Sequence, residues 1–496
     1  MRSPRWLAAL LALLTLVATA CASEADDDPV AEPPIDATPE EPADGPVEGP
    51  NGFVPDEIEW EECGATECGV LDVPLDYEQP EGKLLTLFIT RAPAEGERLG
   101  ALFVNPGGPG ASAAEMAAVL PMILPGEITD HFDIIGVDPR GVGGSSPIDC
   151  GVEATELYGV DPTMEDDADR EAVLAISEEY IDDCTIRYGD LLPHVGTADV
   201  ARDMDAVRAA LGDEQLSFLG FSYGSMIGQV YADLFPENIR SMILDGIVEL
   251  GPTGLEAAAT QAEGFETALA RWVEHCASDC EVSPDALGAV EQVLAASEQP
   301  GGIPAPGADR AAGPGEANLG ITYALYSQQL WGSLDDALAQ ALEGDGTRLV
   351  GLADGYIGIG DFEVYFAVNC LDFAWPTGDP QAFFDAAKAA GEESPHFGEA
   401  IVVDYIRCAD WPVEPDPVEA VTAEGAPPIL VVSTTGDPAT PYEAGVRVAD
   451  TLETGVLVTN EGDGHTVVAD GNDCIDDIVT KYLVDQEVPE DDTVCD

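Results

Sequence analysis

The residues best suited to chemistry are a serine in a glycine-flanked turn and a histidine in a late loop. Gly220-Phe221-Ser222-Tyr223-Gly224 fits G-x-S-x-G, and it falls between a predicted strand over 215–220 and a predicted helix over 225–234. In that setting the glycines allow a sharp turn that raises the Ser222 hydroxyl at the strand's end. The helix N-terminus turns backbone N–H groups toward developing negative charge. Such a nucleophile is followed along the chain by an Asp or Glu and then by a His. Of the five histidines, His131 and His194 precede Ser222. His465 stands in Gly462-Asp463-Gly464-His465-Thr466, directly after the last strand pattern, where the general base belongs. Gly436-Asp437-Pro438 occupies the loop after the preceding strand, which makes Asp437 the orienting carboxylate and His465 the base. Asp463 is too close to His465 in sequence to orient its ring. A tetrahedral intermediate also needs two N–H donors. Tyr223 supplies one, and the loop Gly107-Gly108-Pro109-Gly110 the other, with Gly108 preferred to Gly107. The expected chemistry is acyl transfer through Ser222, with no metal and no cofactor.

These side chains need a scaffold of alternating strands and helices. Strand patterns occur at 84–91, 101–104, 132–137, 215–220 and 240–245. Between them, Val200, Met204, Val207 and Leu211 recur at helical spacing within 197–211. Short apolar strands alternating with helices predict an α/β fold with a mostly parallel sheet covered on both faces. After Val248 the rhythm changes to helix-like blocks at 254–276, 285–297 and 333–342, with a Gly/Pro/Ala loop at 299–315. Strand and helix patterns resume at 428–433, 442–452, 455–459 and 474–483. The division expected is a core over 52–250 and 427–496, interrupted by a helical lid at 251–426.

Composition bounds the partners. The chain carries 18 Lys+Arg against 96 Asp+Glu, a formal charge of −78. That excludes nucleic acid, whose phosphates need clustered cations. Only Lys83, Lys388 and Lys481 are lysines; such scarcity beside an acid surplus resembles proteins that stay soluble in high salt. Arg2 and Arg5 precede an apolar run from Trp6 to Ala20, shorter than the ~20 residues of a membrane span but suited to a signal peptide over 1–20. Ala18-Thr19-Ala20-Cys21 resembles a lipobox, so the expected product is an exported lipoprotein lipidated at Cys21, or a secreted protein. Residues 21–51, rich in Asp, Glu and Pro, read as a stiff, self-repelling tether. The membrane is then reached only through the N-terminal lipid, and the folded part is expected to be a monomer. Ten cysteines remain for an oxidising compartment. The simplest pairing is sequential: Cys63 with Cys68, Cys150 with Cys184, Cys276 with Cys280, Cys370 with Cys408, and Cys474 with Cys495. His275 beside Cys276 and Cys280 suggests metal ligation at first sight, but a zinc site wants a second pair at similar spacing, and the sequence offers none.

Asn105-Pro106-Gly107-Gly108-Pro109-Gly110, Asp138-Pro139-Arg140-Gly141-Val142-Gly143, the Ser222 pentapeptide, Gly436-Asp437-Pro438-Ala439-Thr440-Pro441 and Gly464-His465 together resemble a known family. It is that of the tripeptidyl aminopeptidases among the proline iminopeptidase-like α/β-hydrolases. The similarity runs over roughly 55–496. It includes Cys370-Leu371-Asp372 and Cys408-Ala409-Asp410-Trp411-Pro412, which resemble the family's lid-to-core cysteine pair; Ala113 stands where the family commonly has Gly. The resemblance implies an α/β-hydrolase fold with a helical lid, and an exported serine peptidase acting on peptides with a free N-terminus. A carboxylesterase or lipase with the same triad is the alternative, since acyl transfer does not depend on whether the leaving group is amine or alkoxide. A binding lipoprotein without catalysis is a third reading. An aminopeptidase must hold the substrate's α-ammonium with a carboxylate, a task that lid residues perform in the relatives. That implies Asp372 first and Glu363 second.

The charge carries its own test. Carboxylate repulsion weakens folding at low ionic strength, so Tm should rise as NaCl goes from about 0.05 to 3 M. A flat Tm in a thermal-melt series means that the acids are dispersed enough to be harmless.

Overall fold

A computed structural model describes residues 47–163, 167–278 and 280–496. The signal peptide at 1–20, Cys21 and nearly all of the 21–51 tether lie outside the described residues. Among the described residues ten strands form one sheet: β1 (Glu61–Cys63), β2 (Thr66–Pro74), β3 (Leu84–Ala92), β4 (Gly100–Asn105), β5 (Phe132–Val137), β6 (Leu216–Phe221), β7 (Ile239–Asp245), β8 (Ile429–Gly436), β9 (Gly455–Asp463) and β10 (Thr493–Cys495). Their order is β1-β2-β3-β5-β4-β6-β7-β8-β9-β10. The pairs from β1 to β5 are antiparallel, and every pair from β5 to β10 is parallel.

Every residue of β4, β5 and β6 is buried, because helices cover both faces of the parallel part. Alternation along β4 divides the two cores. Phe103 packs with Val200, Met204 and Ile227, from helices α2 (Thr197–Leu211) and α3 (Tyr223–Leu234). Leu102 and Val104 point the other way. They join Ala117 of α1 (Ala113–Val119) and Ile475 and Val479 of a helix over Asp473–Asp485. This is the α/β-hydrolase arrangement. The helix Asp167–Tyr188 has little apolar surface to announce it; it buries Val173, Ser177, Tyr180 and Cys184, one residue per turn.

Between β7 and β8 the chain is helical, and this insertion is built in two layers. Helices from Gly254–His275 to Thr347–Ile357 enclose a core of their own around Leu269, Trp272, Val290, Ile321, Leu338 and Leu349. The later segment, with helices Phe362–Asp372 and Pro380–Glu393, buries Phe366, Trp375, Phe383 and Cys408 in the core that continues onto the sheet. The apolar run 364–371 is therefore the inner floor of the insertion.

Two devices pin this frame. Arg140 is fully buried and donates to both Asp203 oxygens (2.7 and 2.6 Å) and to the carbonyls of Leu75 and His194. The second device is the set of disulfides, and all ten remaining cysteines are paired in the sequential order expected. Cys63 joins Cys68 across the hairpin of β1 and β2, five residues apart. Cys150 joins Cys184 of the helix Asp167–Tyr188. Cys276 joins Cys280 just past the end of the helix Gly254–His275, so these two are a disulfide and not metal ligands. Cys370 joins Cys408, and Cys474 joins Cys495 of the edge strand β10. The Cys370–Cys408 bridge closes a separation of 38 residues within the insertion's inner layer, worth about 3–4 kcal/mol in the chain-entropy account. Alkylation without reduction, followed by intact-mass measurement, should therefore modify no thiol of the folded part. Two or more adducts contradict the pairing.

Candidate active site

Ser222 follows β6 directly, with φ 55° and ψ −123°, a left-handed backbone that non-glycine residues rarely adopt. Glycines make the turn possible. A Cβ at Gly220 would lie 2.4 Å from the Gly224 carbonyl oxygen, and one at Gly224 would lie 2.7 Å from that of Asn105. The Ser222 N–H donates to the Asp245 carbonyl at the end of β7, 2.8 Å away.

The loop after β4 comes close on the other side: a Cβ at Gly107 would lie 2.8 Å from Ser222 Cβ and 3.0 Å from the Tyr223 nitrogen. Its amides are not equivalent. The Gly107 N–H donates to Asn105 Oδ1 at 2.9 Å, whereas the N–H groups of Gly108 and Tyr223 have no acceptor among the described residues. Free donors on two segments that meet at Ser222 suit an oxyanion, and they favour Gly108 over Gly107.

His465 follows β9. Its Nδ1 lies 3.0 and 2.9 Å from the two Asp437 oxygens, so the ring proton sits on Nδ1 and Nε2 carries the basic lone pair. Nε2 is buried and has no hydrogen-bond partner among the described residues. Asp437, just after β8, also accepts the N–H groups of Ala439 and Thr440 (2.9 Å each) and the Thr440 hydroxyl (2.8 Å). Sequence reading missed Thr440, although a threonine three residues after the acid in a Pro-containing turn is a recognisable local capping signal. Burial lowers the His465 pKa, but the charge and hydrogen bond of Asp437, with a further contribution from Asp245, outweigh it and leave the pKa raised.

Ser222, Tyr223 and Gly108 open into a cleft of about 850 Å³, part of it open to solvent, with apolar walls that include Met226, Ile247, Phe373 and Trp375. Its lining carboxylate, Glu249, is gripped by both ends of the Arg447 guanidinium at 2.8 and 2.6 Å. A second space of about 750 Å³, part of it open to solvent, lies between the insertion and the 157–173 segment and shares Gln261, Tyr365 and Tyr405 with the first. Tyr158, Tyr326 and Tyr356 line it together with Asp404. One Asp404 oxygen accepts from Arg407 at 2.6 Å; the other has no donor among the described residues. The Asp404 side chain is 28% accessible, and burial raises its pKa in spite of Arg407.

Asp372 and Glu363, offered by the sequence for the substrate's ammonium, line neither space. Asp372 is buried and faces the start of α2. It accepts the Thr197 N–H (3.0 Å) and hydroxyl (2.6 Å), and burial pushes its pKa up to about 7. A helix N-terminus is a natural partner for a carboxylate, and that contact turns Asp372 away from the cleft. Glu363 sits in the first turn of its helix, and its carbonyl accepts the Tyr180 hydroxyl at 2.6 Å.

Residues 100–281 match the family model described as alpha/beta hydrolase fold, and residues 394–495 the model described as TAP-like protein. Serine protease Hip1 of Mycobacterium tuberculosis is 38% identical over 480 residues, covering 88% of this chain and 91% of that protein. The chain belongs to the TAP-like serine hydrolases of the α/β-hydrolase superfamily. Carboxylesterase B of M. tuberculosis is 37% identical over 497 residues, covering 93% of this chain and 94% of that protein. Tripeptidyl aminopeptidase of Streptomyces lividans is 32% identical over 475 residues, covering 88% and 86%. Membership in this family brings the chemistry of acyl transfer to a serine, and the relatives' names divide between peptidase and esterase.

A general base must be neutral to accept the serine proton, so a raised His465 pKa moves the acid limb of kcat/KM upward. That limb should lie above the ordinary imidazole value of about 6.5. Ser222→Ala, Asp437→Ala and His465→Ala should each lower kcat at least ~10³-fold without unfolding the protein. Near-normal turnover by His465→Ala contradicts the arrangement.

Proposed function

We propose that the protein is an aminopeptidase that releases short N-terminal peptides through an acyl-enzyme on Ser222. Ser222 Oγ attacks the scissile carbonyl carbon while His465 Nε2 takes its proton. The carbonyl electron pair moves onto oxygen and is met by the N–H groups of Gly108 and Tyr223. Asp437 holds the imidazolium through Nδ1. His465 then returns the proton to the leaving amine, and a water repeats the sequence to free the peptide.

The observation that carries the peptidase reading is the second space. A small ester needs no anionic group beyond the room beside the nucleophile, whereas a peptide's free N-terminus does. Here a second space lies beside the cleft, behind the hydrogen-bonded hydroxyls of Tyr365 and Tyr405, and holds a carboxylate with one oxygen unclaimed among the described residues, surrounded by tyrosine rings. A carboxylate oxygen with aromatic walls suits an ammonium group, and Asp404 takes the role that the sequence suggests for Asp372. The Cys21 anchor and export to the cell exterior are part of the same proposal: a tethered, acidic enzyme working on extracellular peptides.

The test compares kcat/KM for a tripeptidyl anilide with its amine free or acetylated, alongside a p-nitrophenyl ester. Acetylation should cost more than tenfold, about 1.4 kcal/mol. Asp404→Asn should lose a similar factor on the free amine and little on the acetylated substrate. Equal turnover of both anilides, with faster ester cleavage, makes the carboxylesterase reading the better one.

A further inference from the structure

Asp245 is the last residue of β7 and is fully buried. Its main-chain oxygen receives the Ser222 N–H. On its side chain, Oδ2 accepts the N–H groups of both Val467 and Val468 at 2.8 Å, the residues that follow His465-Thr466. Oδ1 is buried without a donor. The next residue, Gly246, has φ 72°, and a Cβ there would lie 2.9 Å from both His465 Cε1 and Thr466 Cγ2. The histidine ring thus rests on the backbone just after Asp245. Thr466 itself has φ 66°, a strained conformation for a β-branched residue that persists only where its surroundings hold it.

A staple for two amides needs an acceptor and no charge. A buried ionisable group with an unpartnered oxygen supplies that acceptor only at a large desolvation cost. The cost is offset where a positive charge appears during turnover, and the neighbour that acquires one is His465. We propose that Asp245 is a positioning residue of the hydrolytic site: its carboxylate fixes the loop that carries His465 and adds to the support that Asp437 gives the imidazolium through Nδ1. The inference rests on the reading of Ser222, Asp437 and His465 as a triad. Asp437 orients the ring, and Asp245 ties the base loop to the strand that also holds the nucleophile's amide. The charged groups facing Asp245 are His465 and Asp437. Burial pushes the Asp245 carboxyl up to about 7; the two amides and His465 act against this, and Asp437 adds to it. The carboxylate is therefore most fully ionised when the imidazolium is present.

Asp245→Asn keeps an oxygen for the two amides and removes the charge. Losing a negative neighbour lowers the His465 pKa, so the acid limb of kcat/KM should move to lower pH by about half a unit or more, while kcat falls roughly tenfold from the weaker support of the imidazolium. A fall in kcat or Tm with the limb unmoved assigns Asp245 a purely structural role and overturns the proposal. Should that variant not fold, the His465 Cε1–H resonance of Ser222→Ala decides: it should titrate in two steps, its own and that of Asp245, and a single one-proton curve overturns the proposal. Fluorophosphonate labelling of the unmodified protein separates the two levels. Absence of a Ser222 adduct removes the triad reading itself, whereas labelling with an unmoved limb removes only the role of Asp245.

Discussion

The turn at Ser222 is the constraint on which the site depends. Gly220, Gly224 and Gly228 lie along the contact between β6 and α3. A Cβ at the third would meet the Leu244 side chain at 2.4 Å, as close as the 2.4 Å clash at the first. Without side chains at these places, α3 lies flat on β6 and β7, and the chain must reverse within one residue to enter it. That residue is Ser222, held in a left-handed conformation costing of order 1–3 kcal/mol. Packing of α3 offsets the strain. Residues Tyr223 to Ala232 are all buried, and the Ser225 hydroxyl accepts the Val248 N–H at 2.9 Å. The oxyanion loop and the end of β7 then dock against a nucleophile whose position is already fixed.

The acidity of the chain is handled differently inside and outside. At the ends of strands and the starts of helices, buried carboxylates are satisfied by backbone N–H groups. Asp138 takes Ala114 and Gly144, Asp372 takes Thr197, and Asp437 takes Ala439 and Thr440. Amides do this without drawing on scarce cations. The cations that are buried are arginines, Arg140, Arg208 and Arg407, each bonded to an aspartate and to backbone carbonyls at once. A planar fork can do this where a lysine cannot, which fits a chain in which arginine greatly outnumbers lysine. The remaining acids are mostly on the surface, where they set solubility more than fold.

The proposed triad of Ser222, Asp437 and His465 is legible in sequence because each member stands in a loop directly after a strand, and strand patterns with glycine-rich stops are visible there. Asp245 stands in the same kind of place, at the end of RSMILD and before a glycine, and the same rule applied to β7 finds it. The disulfides are legible for a different reason. Cys63 and Cys68, like Cys276 and Cys280, are so close along the chain that a local turn brings them together, and order alone then pairs the rest. The lid carboxylates are not legible. Asp372 follows a disulfide cysteine and looks well placed, but which way a helix end points depends on what meets it, and the start of α2 does. Asp404 sits in a short helix among tyrosines that come from four separate segments, and no periodicity predicts that convergence. The two-layered insertion is hidden for a related reason. Apolar residues of its inner and outer helices recur alike, and only packing reveals which of them share the sheet's core.

The insertion also completes the machinery it covers. Each of the three loops around Ser222 is hydrogen-bonded to it. The His465 N–H donates to the Tyr326 carbonyl at 2.7 Å. Gln261 Nε2 donates to the Ala439 carbonyl, two residues after Asp437, at 3.2 Å. The Asp361 N–H donates to the Gly110 carbonyl at 2.9 Å, at a point where a Cβ on Gly110 would lie 2.3 Å from the Asp361 carbonyl oxygen. Tyr326 adds an edge-on ring contact to the imidazole, with centroids 5.5 Å apart. A lid that swung away as a body would break all of these and loosen base, acid and oxyanion loops together. Swinging the inner layer away would also pull Phe366 and Phe383 out of the core beneath. Entry through the open cleft, with the insertion in place, leaves these contacts intact. The same helices thus hold the loops after β4, β8 and β9 and form walls of the cleft beside Ser222, so the geometry of the site and the shape of its cleft are set together.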